Sequence, residues 1–344
     1  MNVQMNVGEK QRRWPCAIDM HAHLMIPQMY RITGPHSMFV KSNTDPDMSE
    51  AAKQVVRDRE AFIESRMSDT TERLARMDAM GVDIQVLSSS LVQQCTYWAE
   101  PQESLRMERM LNERMAEVVA ANPQRYIGLG GVPLHAPDLA AAELVRCMTE
   151  LKLAGVGIST TARDMELGDR RLRPFWEAAE AHGAVVYIHP AGNPDRRFEK
   201  WYLWNSIGQA FEEAMAIASL LYEGILDAYP KLKICVSHGG GYMPYYMGRI
   251  ARNYLDKPAT RVNMSKSPAE YLRMLYFDSC VYETEVLEAL VKRVGADRVL
   301  LGSDYPVGEP KPIEFIESCA LSAQEKADII GGNAARLFGI KVAA

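Results

Sequence analysis

Short apolar runs recur along the chain, each bounded by turn-forming residues and rich in β-branched or aromatic side chains, as buried parallel strands are. Eight such runs predict eight strands, over residues 16–20, 84–88, 126–129, 156–159, 184–189, 233–237, 275–278 and 299–303. A closed barrel of parallel strands needs this number.

The segments between the strands carry apolar residues at helical spacing. This pattern predicts helices over residues 72–80, 104–121, 138–153, 173–182 and 211–229. Gly81 and Gly183 follow two of these segments as C-cap candidates, and Asp138, after Pro137, stands where a helix should begin. Strands and helices therefore alternate, which favours an α/β fold and a (β/α)8 TIM-type barrel over a doubly wound open sheet.

Two connections are too long to be simple loops. One spans residues 24–70, after strand one, and the other runs from residue 190 to about residue 206, after strand five. Both begin at carboxyl ends of strands, the face on which barrel enzymes build their sites. We therefore expect one distorted barrel domain over residues 1–344, with 24–70 as an insertion or lid and the second connection as a pocket wall.

Composition narrows the choice of function. The chain has 344 residues, 47% hydrophobic and 24% charged, and it contains no run of eighteen uncharged apolar residues that would predict a membrane span. Thirty-nine basic and 44 acidic residues give a formal net charge of -5, which argues against a nucleic-acid surface. A small molecule is the expected partner, and a local basic pocket could still receive an acidic one.

Cysteine usage and the N-terminal residues predict the compartment. Six cysteines are scattered with no Cys-x-x-Cys spacing, at residues 16, 95, 147, 235, 280 and 319. The first eight residues lack the apolar core of a signal peptide. A reduced, cytoplasmic protein is the expectation.

Metal-ligand residues fall at the ends of four predicted strands. His21 and His23 end strand one, just past its apolar run, and the period of two of a strand points both side chains to one face. His189, His238 and Asp304 end strands five, six and eight, so all five residues converge on one rim. Three imidazoles with one carboxylate suit zinc or a related ion and leave room for a bound water. Such an ion lowers the pKa of its bound water toward roughly 7.

The remaining histidines do not belong to this set. His36, His135 and His182 are interpreted as lid, loop and helix-end residues. Asp304 has a second interpretation, because a carboxylate in a Gly-Ser-Asp turn can also cap a helix.

Several motifs together resemble a known family. They are Ile-Asp-Met-His-Ala-His at residues 18–23, Ile-His-Pro at 188–190, Ser-His-Gly-Gly-Gly at 237–241 and Gly-Ser-Asp-Tyr-Pro at 302–306. Thr-Tyr-Trp-Ala-Glu-Pro at 96–101 and Tyr-Pro-Lys-Leu-Lys-Ile-Cys at 229–235 add to the similarity. Over nearly its whole length the chain resembles the amidohydrolase superfamily, and within it the aminocarboxymuconate-semialdehyde decarboxylase-like branch.

The resemblance implies a role for each rim residue. His21, His23, His189 and Asp304 would ligate one divalent ion, most simply zinc, with manganese as the alternative. His238 would act on the water or the substrate, with His238 or Asp304 handling the proton. A single ion is expected because strand four ends in Gly-Val-Gly-Ile-Ser, without the carboxylated lysine of two-metal relatives.

Substrate contacts are also implied by the resemblance. Arg249 matches an arginine that binds substrate carboxylate across a dimer in the resembled decarboxylases, although a structural or solvated arginine would also fit its position. A second family arginine, in the first insertion, matches Arg57, Arg59 or Arg66.

Aromatic residues in the second connection could form a further part of the pocket. Trp201 and Trp204, with Tyr202, could wall a planar substrate or simply pack beneath the loop.

The expected function is that of a metal-dependent, non-oxidative decarboxylase of an aromatic or muconate-type acid in aromatic catabolism. The same site could run a hydrolysis or a hydration, and a scaffold that has lost its activity is a third class. The resemblance further implies a homodimer or a higher homo-oligomer.

Overall fold

Eight parallel strands, in chain order, surround a common axis in the computed structural model, which describes residues 14–36, 49–94, 96–193 and 195–341. The strands are β1 (Ile18–Leu24), β2 (Ile84–Ser89), β3 (Tyr126–Gly130), β4 (Gly155–Ile158), β5 (Val185–Ile188), β6 (Lys233–Val236), β7 (Tyr276–Asp278) and β8 (Val299–Leu300). The last strand meets the first, because the Met20 amide donates to Leu301 O (2.7 Å) and Ala22 bridges Tyr305. The predicted (β/α)8 barrel is confirmed.

Helices cover the outside of the strands. They are α1 (Pro27–Thr33), α2 (Glu50–Ser68), α3 (Thr70–Met80), α4 (Leu91–Gln94), α5 (Pro101–Ala121), α6 (Pro137–Thr149), α7 (Arg173–His182), α8 (Gln209–Tyr222), α9 (Ile225–Ala228), α10 (Met247–Asp256), α11 (Pro268–Leu272), α12 (Thr284–Val294), α13 (Pro312–Ser318), α14 (Ala323–Ala327) and α15 (Asn333–Phe338). A short antiparallel hairpin pairs residues 161–162 with 165–166, and π-helical turns span Trp204–Gly208 and Asp328–Gly332.

Four predicted boundaries were wrong, among them the end of strand eight, which stops at Leu300 and not at residue 303. The helix predicted over 211–229 breaks at Gly224, whose φ of 71° is left-handed, and the helix predicted over 138–153 ends at Thr149, before Lys152 with φ 58°. Strand one was predicted to end at residue 20, but β1 continues to Leu24 and contains both histidines. Gly81 and Gly183 are left-handed C-caps as predicted.

The hydrophobic core has an inner and an outer layer. The inner cluster includes Ile18, Met20, Val86, Leu129 and Tyr187. Helix α15 packs against it at the amino-terminal end of the barrel, with Ala334, Ala335 and Leu337. The outer cluster lies between strands and helices. The amino-terminal half of the barrel interior is therefore filled by apolar side chains, and polar side chains lie at the carboxyl ends of the strands.

A bulge in β1 gives this strand an extra inward-facing residue. The pairing of β1 with β2 shifts between Asp19, opposite Gln85, and Ala22, opposite Leu87, so that three steps in one strand match two in the other. Met20 packs in the inner apolar cluster, and His21 turns inward directly above it. Bulges commonly re-aim side chains near active sites.

The two long connections after β1 and β5 contain secondary structure. Helices α1 and α2 occupy the first one, in which residues 37–48 lie outside the described part. A 3-10 turn (Arg196–Phe198) and the π-helical turn Trp204–Gly208 occupy the second. Among the helices of the described residues, none has the length and apolarity to cross a membrane.

Candidate metal centre and active site

Four predicted ligands meet at the carboxyl end of the barrel. The donor atoms of His21, His23, His189 and Asp304 all lie within 4.8 Å of one another, and all four residues are buried. His21 Nε2 lies 3.1 Å from His23 Nε2, and Asp304 Oδ1 lies 3.1 Å from each of these nitrogens. β1, the end of β5 and the turn after β8 therefore contribute to one cluster.

The separations among His21, His23 and Asp304 fit the coordination shell of one ion. A tetrahedral zinc with ligands at about 2.05 Å sets adjacent donors about 3.3 Å apart. An octahedral ion with ligands at about 2.1 Å sets them about 3.0 Å apart. The three measured distances of 3.1 Å lie between these values.

Each histidine of the cluster is oriented by an acceptor behind its ring. His21 Nδ1 donates to Asp278 Oδ2 (2.8 Å), His23 Nδ1 to Ser89 O (3.2 Å) and His189 Nδ1 to Pro190 O (3.0 Å). Because these partners can only accept, each ring keeps a proton on Nδ1 and turns Nε2 toward the cluster. Metal-binding histidines are typically held in this way.

Charge within the cluster is balanced in the metal-free chain by a proton. Burial opposes charge on His21, but the carboxylates of Asp304 and Asp278 outweigh it and raise the His21 pKa to about 9. Burial and neighbouring imidazoles hold the pKa of His189 well below its usual value. Although burial opposes ionisation of Asp304, its histidine neighbours hold the pKa of this carboxyl well below its usual range. A divalent cation would replace the proton on His21.

His238 lies beside the four donors but is held differently. Its Nδ1 contacts Glu213 Oε1 at 2.5 Å, and its Nε2 lies 3.9 Å from Asp304 Oδ2. Burial opposes protonation of His238, yet the Glu213 carboxylate raises the His238 pKa well above its usual value. The Glu213 carboxylate therefore favours the protonated form of a ring whose Nε2 lies on the side of the cluster.

The backbone around His238 explains the glycines after it. His238 and Asp304 have φ angles of 48° and 56°, a left-handed conformation that costs a residue with a side chain about 1–3 kcal/mol. Gly241 has φ 61°, and a Cβ added there would lie 2.1 Å from Ala210 O of α8. The glycine run thus lets the loop press against α8, which brings Glu213 to His238.

Two site residues were missed by the sequence reasoning. Glu213 lies in a Glu-Glu pair within a helical segment, where no motif distinguishes it. Asp278 ends β7 on the same rim as the ligands, and an acidic residue at that strand end was a usable signal. Besides His21 Nδ1, Asp278 accepts the Tyr187 hydroxyl (3.0 Å) and the Cys280 amide (3.1 Å).

A cavity of about 300 Å³ opens above the cluster. Residues from β1, α1, α2 and the second long connection line it: His23, Met25, Tyr30, Val56, Arg59, Glu60, Ile63, Glu64, Met67, Ser90, His189, Tyr202, Trp204, Asn205, Gln209, Asp304 and Val307. His23, His189 and Asp304 form its floor, so a ligand in this cavity would reach the metal centre.

The predicted substrate contacts lie in different places. Trp204 is buried and lines the cavity, whereas Trp201 is 82% exposed. Arg249 is exposed near the start of α10. Of the three arginines considered in the first insertion, Arg59 lines the cavity, while Arg57 bonds Gln54 on the same helix.

Arg66 and the three histidines left out of the ligand set have other partners. Arg66 pairs with Glu72. His36 stacks on Trp98, His135 Nε2 bonds Ala99 O, and His182 is exposed at the end of α7.

Comparison with known proteins gives matches over nearly the whole chain. Residues 18–340 match the sequence profile of an amidohydrolase family. A 2-amino-3-carboxymuconate-6-semialdehyde decarboxylase of Dictyostelium discoideum is 35% identical over 331 residues, which cover 94% of this chain and 91% of the relative.

Solved structures agree with the sequence matches. 5-Carboxyvanillate decarboxylase from Sphingomonas paucimobilis is 29% identical with a TM-score of 0.82, covering 95% of this chain and 99% of that one. A dihydroxybenzoic acid decarboxylase from Polaromonas sp. JS666, with bound manganese and the inhibitor 2-nitroresorcinol, is 26% identical with a TM-score of 0.79, covering 94% and 97%.

Proposed function

This chain belongs to the amidohydrolase family, and from that premise we propose that it is a metal-dependent, non-oxidative decarboxylase of an aromatic or muconate-type carboxylic acid in aromatic catabolism. One observation carries the proposal: the four candidate ligands form the floor of a cavity, and the imidazole of His238, held by Glu213, lies beside them. Decarboxylation needs both features, a site that holds an acid and a proton for the carbon that loses its carboxylate.

His21, His23, His189 and Asp304 are the residues that we propose hold one divalent ion. When bound, the ion supplies positive charge that holds carboxylate or phenolate oxygens of the substrate. Zinc is our first choice, because three imidazoles and one carboxylate suit it, and manganese, which the Polaromonas relative binds, is the alternative.

His238 is the residue that we propose gives the proton. The bond between the substrate carbon and its carboxylate breaks, carbon dioxide leaves, and the electron pair stays on the carbon. That pair then takes the proton from the His238 imidazolium, forming a C–H bond. Asp304 shares this catalytic site as an ionised carboxylate, which can accept a proton but has none to give.

The cavity walls support an acidic, planar substrate. Trp204 contributes an aromatic ring to the cavity lining, and Arg59 places a guanidinium in the wall formed by α2. We retain Arg249 and Trp201 as substrate-binding residues that would act at a subunit boundary, since both are exposed.

We also propose a homodimer in the cytoplasm, built from one barrel domain per chain. Exposed apolar side chains of α8 and of the segment leading to α10, among them Phe211, Met215, Tyr242 and Tyr246, support an interface near Arg249. Cys147, Cys235, Cys280 and Cys319 are buried and form no disulfide, which suits a reducing compartment.

The test is carbon dioxide release from hydroxybenzoates and carboxymuconates by protein loaded with zinc or manganese. Release should require metal, and His238→Ala should abolish it while metal content stays unchanged. Incorporation of oxygen from labelled water without carbon dioxide would instead assign a hydrolase or a hydratase.

A further inference from the structure

Glu213 carries a carboxylate that is fully buried against the catalytic loop. Its Oε1 accepts the His238 Nδ1–H at 2.5 Å and also the Ser237 hydroxyl. We propose that Glu213 is a positioning residue that fixes the tautomer and the ring orientation of His238, so that Nε2 faces the reacting carbon. This inference rests on the proposed decarboxylase function of the same site.

The contacts of His238 determine which ring nitrogen transfers the proton to the substrate. An ionised carboxylate only accepts, so the nitrogen facing Glu213 must be Nδ1–H. The opposite nitrogen, Nε2, then points toward Asp304 Oδ2, 3.9 Å away. The rings of His21 and His189 lie 5.1 Å from the His238 ring on this side. A proton leaving Nε2 is therefore delivered over the metal centre.

The surroundings of Glu213 are not those of an ordinary structural carboxylate. Its side chain is 0% exposed, and within the described part of the chain Oε2 has no hydrogen-bond partner. Leaving a charged oxygen in this state costs stability. Because the other oxygen of Glu213 holds His238, we attribute the presence of this costly buried carboxylate to its effect on the orientation of that histidine.

The fold supplies the approach that this pairing needs. Gly241 passes so close to Ala210 O that no Cβ fits, and the Tyr242 amide donates to the same oxygen at 3.3 Å. Glu213 comes one helical turn after Ala210 in α8. The contact at Ala210 thereby fixes the distance between the helix that bears the carboxylate and the loop that bears the imidazole.

The carboxylate also acts when the proton moves. As the C–C bond breaks and its electron pair takes the proton from Nε2, the imidazolium becomes neutral imidazole with Nδ1–H still bonded to Glu213. Water returns a proton to Nε2 after carbon dioxide leaves. Throughout these steps Glu213 Oε1 keeps accepting from Nδ1–H and holds the ring in place, as the aspartate does in a Ser-His-Asp triad.

Glu213→Gln is the first test, because glutamine keeps the size of the side chain and removes its charge. Its amide can donate to Nδ1 and so favour the other tautomer, with the proton on Nε2 as neutral imidazole. We expect kcat to fall about a hundredfold or more, on the scale of general acid catalysis and of wrong-tautomer variants. KM should change less than about threefold, and metal content should stay at the wild-type value.

Glu212→Gln is the matched control on the same helix. Glu212 is also buried, but its carboxylate accepts from Thr160 and Asn193 instead of His238. Its kcat should stay within a few-fold of wild type. Equal losses in the two variants would assign the effect to the stability of α8 and overturn the proposal.

Histidine 15N NMR separates this inference from the function it rests on. In the wild-type holoenzyme the His238 resonances, identified by their absence in His238→Gln, should report a protonated Nδ1, and Glu213→Gln should shift them toward the other tautomer. That shift supports the inference even if no acid is decarboxylated. Unchanged resonances overturn it, even if the wild type releases carbon dioxide.

Glu213→Asp covers the case in which the glutamine variant does not fold. Aspartate keeps the charge but is one methylene shorter, so the contact with Nδ1 is lost. We expect a reduced kcat and a lower melting temperature, since a buried carboxylate loses its partner, while metal content and the folded state at assay temperature are retained. A kcat equal to that of wild type, with the His238 resonances unchanged, would show that position 213 does not orient the ring.

Discussion

At the scale of single residues, Asp278 links the metal centre to the catalytic loop. It accepts from His21 Nδ1 at 2.8 Å, and the Gly239 amide lies 3.4 Å from its other oxygen. Burial opposes ionisation of Asp278, but the positive charge on His21 keeps the pKa of the Asp278 carboxyl below its usual value.

Asp278→Asn should weaken metal binding by about tenfold to a hundredfold, the usual effect of losing a partner behind a metal-binding histidine. The amide can present either end to His21 and no longer fixes the Nε2 lone pair toward the ion. Competition with a chromogenic chelator measures the affinity. Tyr187→Phe is the control, since it removes the other hydrogen bond to Asp278 Oδ2 and leaves His21 in place; an equal loss there would contradict the tautomer argument.

Glu108 is a second buried carboxyl, away from the catalytic cluster. Burial raises its pKa from 4.5 to about 8, although a hydrogen bond from Thr96 opposes the rise. Between these pH values the folded chain keeps a proton that the unfolded chain has released. The free energy of unfolding must therefore fall as pH rises from about 4.5 to 8, by at most about 5 kcal/mol from this group.

Glu108→Gln should remove this pH dependence, because glutamine is neutral and its oxygen can still accept from Thr96. Relative to wild type, the variant should gain stability steadily as pH rises from 5 to 8. Thermal unfolding of both proteins across this range measures the difference. Glu103→Gln, an exposed change on the same helix, should give a difference that does not vary in this way; a flat difference for Glu108→Gln would mean that the group is ionised in the folded state.

At the scale of elements, α2 forms a wall of the cavity above the metal. It begins after the N-cap Ser49, whose hydroxyl accepts from the Ala52 amide, and it presents Val56, Arg59 and Ile63 to the cavity. A helix inserted after β1 thus supplies apolar surface, the guanidinium of Arg59 and the carboxylates of Glu60 and Glu64 to the cavity.

Arg59→Ala should raise KM for an acidic substrate by about ten- to a hundredfold, the equivalent of one charge-assisted hydrogen bond. Metal content and melting temperature should not change, because the residue is exposed and distant from the ligands in sequence. Steady-state kinetics with metal analysis gives both quantities. Arg57→Ala, two residues away with its guanidinium on Gln54, should leave KM unchanged. An equal rise in KM in both variants would mean that the arginines act by general electrostatic attraction and that Arg59 makes no specific contact with the substrate.

The elements themselves could largely be predicted from the sequence. Each barrel strand is a short apolar run, so burial alone located β2 to β7 within about two residues. The boundaries of β1 and β8 differed because their ends are set by contacts between distant segments, such as the bonds from Met20 to Leu301 and from His23 to Tyr305. A single-sequence pattern contains no information on such pairs.

The site residues also divide into those that could be predicted from the sequence and those that could not. His21, His23, His189, His238 and Asp304 could be found because strand ends of a barrel meet at one rim. Glu213 could not, since its contact with His238 depends on how closely α8 approaches a glycine loop. Arg59 could not be separated from Arg57 until the direction of each side chain on α2 was known.

At the scale of the whole molecule, Arg249 tests the proposed homodimer. We expect Arg249→Ala to keep its metal but to bind acidic substrate poorly. If the guanidinium serves the neighbouring subunit, His238→Ala and Arg249→Ala should complement each other when co-expressed. A mixed dimer then contains one site with both residues intact, and carbon dioxide release should recover.

Co-purification through different tags, followed by light scattering for mass, identifies the mixed dimer. No recovery in a mixed dimer of confirmed composition would place Arg249 in its own subunit's site or outside any site. A monomeric wild-type protein would contradict the dimer itself.

The cavity walls and the metal centre belong to separate parts of the chain. The proposed ligands and proton donor come from strand ends fixed by the barrel. In contrast, α2 and the turn at Trp204–Gly208 belong to connections whose length the strand pairing does not constrain. Mutations in the connections can therefore accumulate without disturbing the chemistry below them. Duplicated copies of such a gene could diversify toward new acids by altering these segments alone, and directed evolution of substrate range should be confined to them.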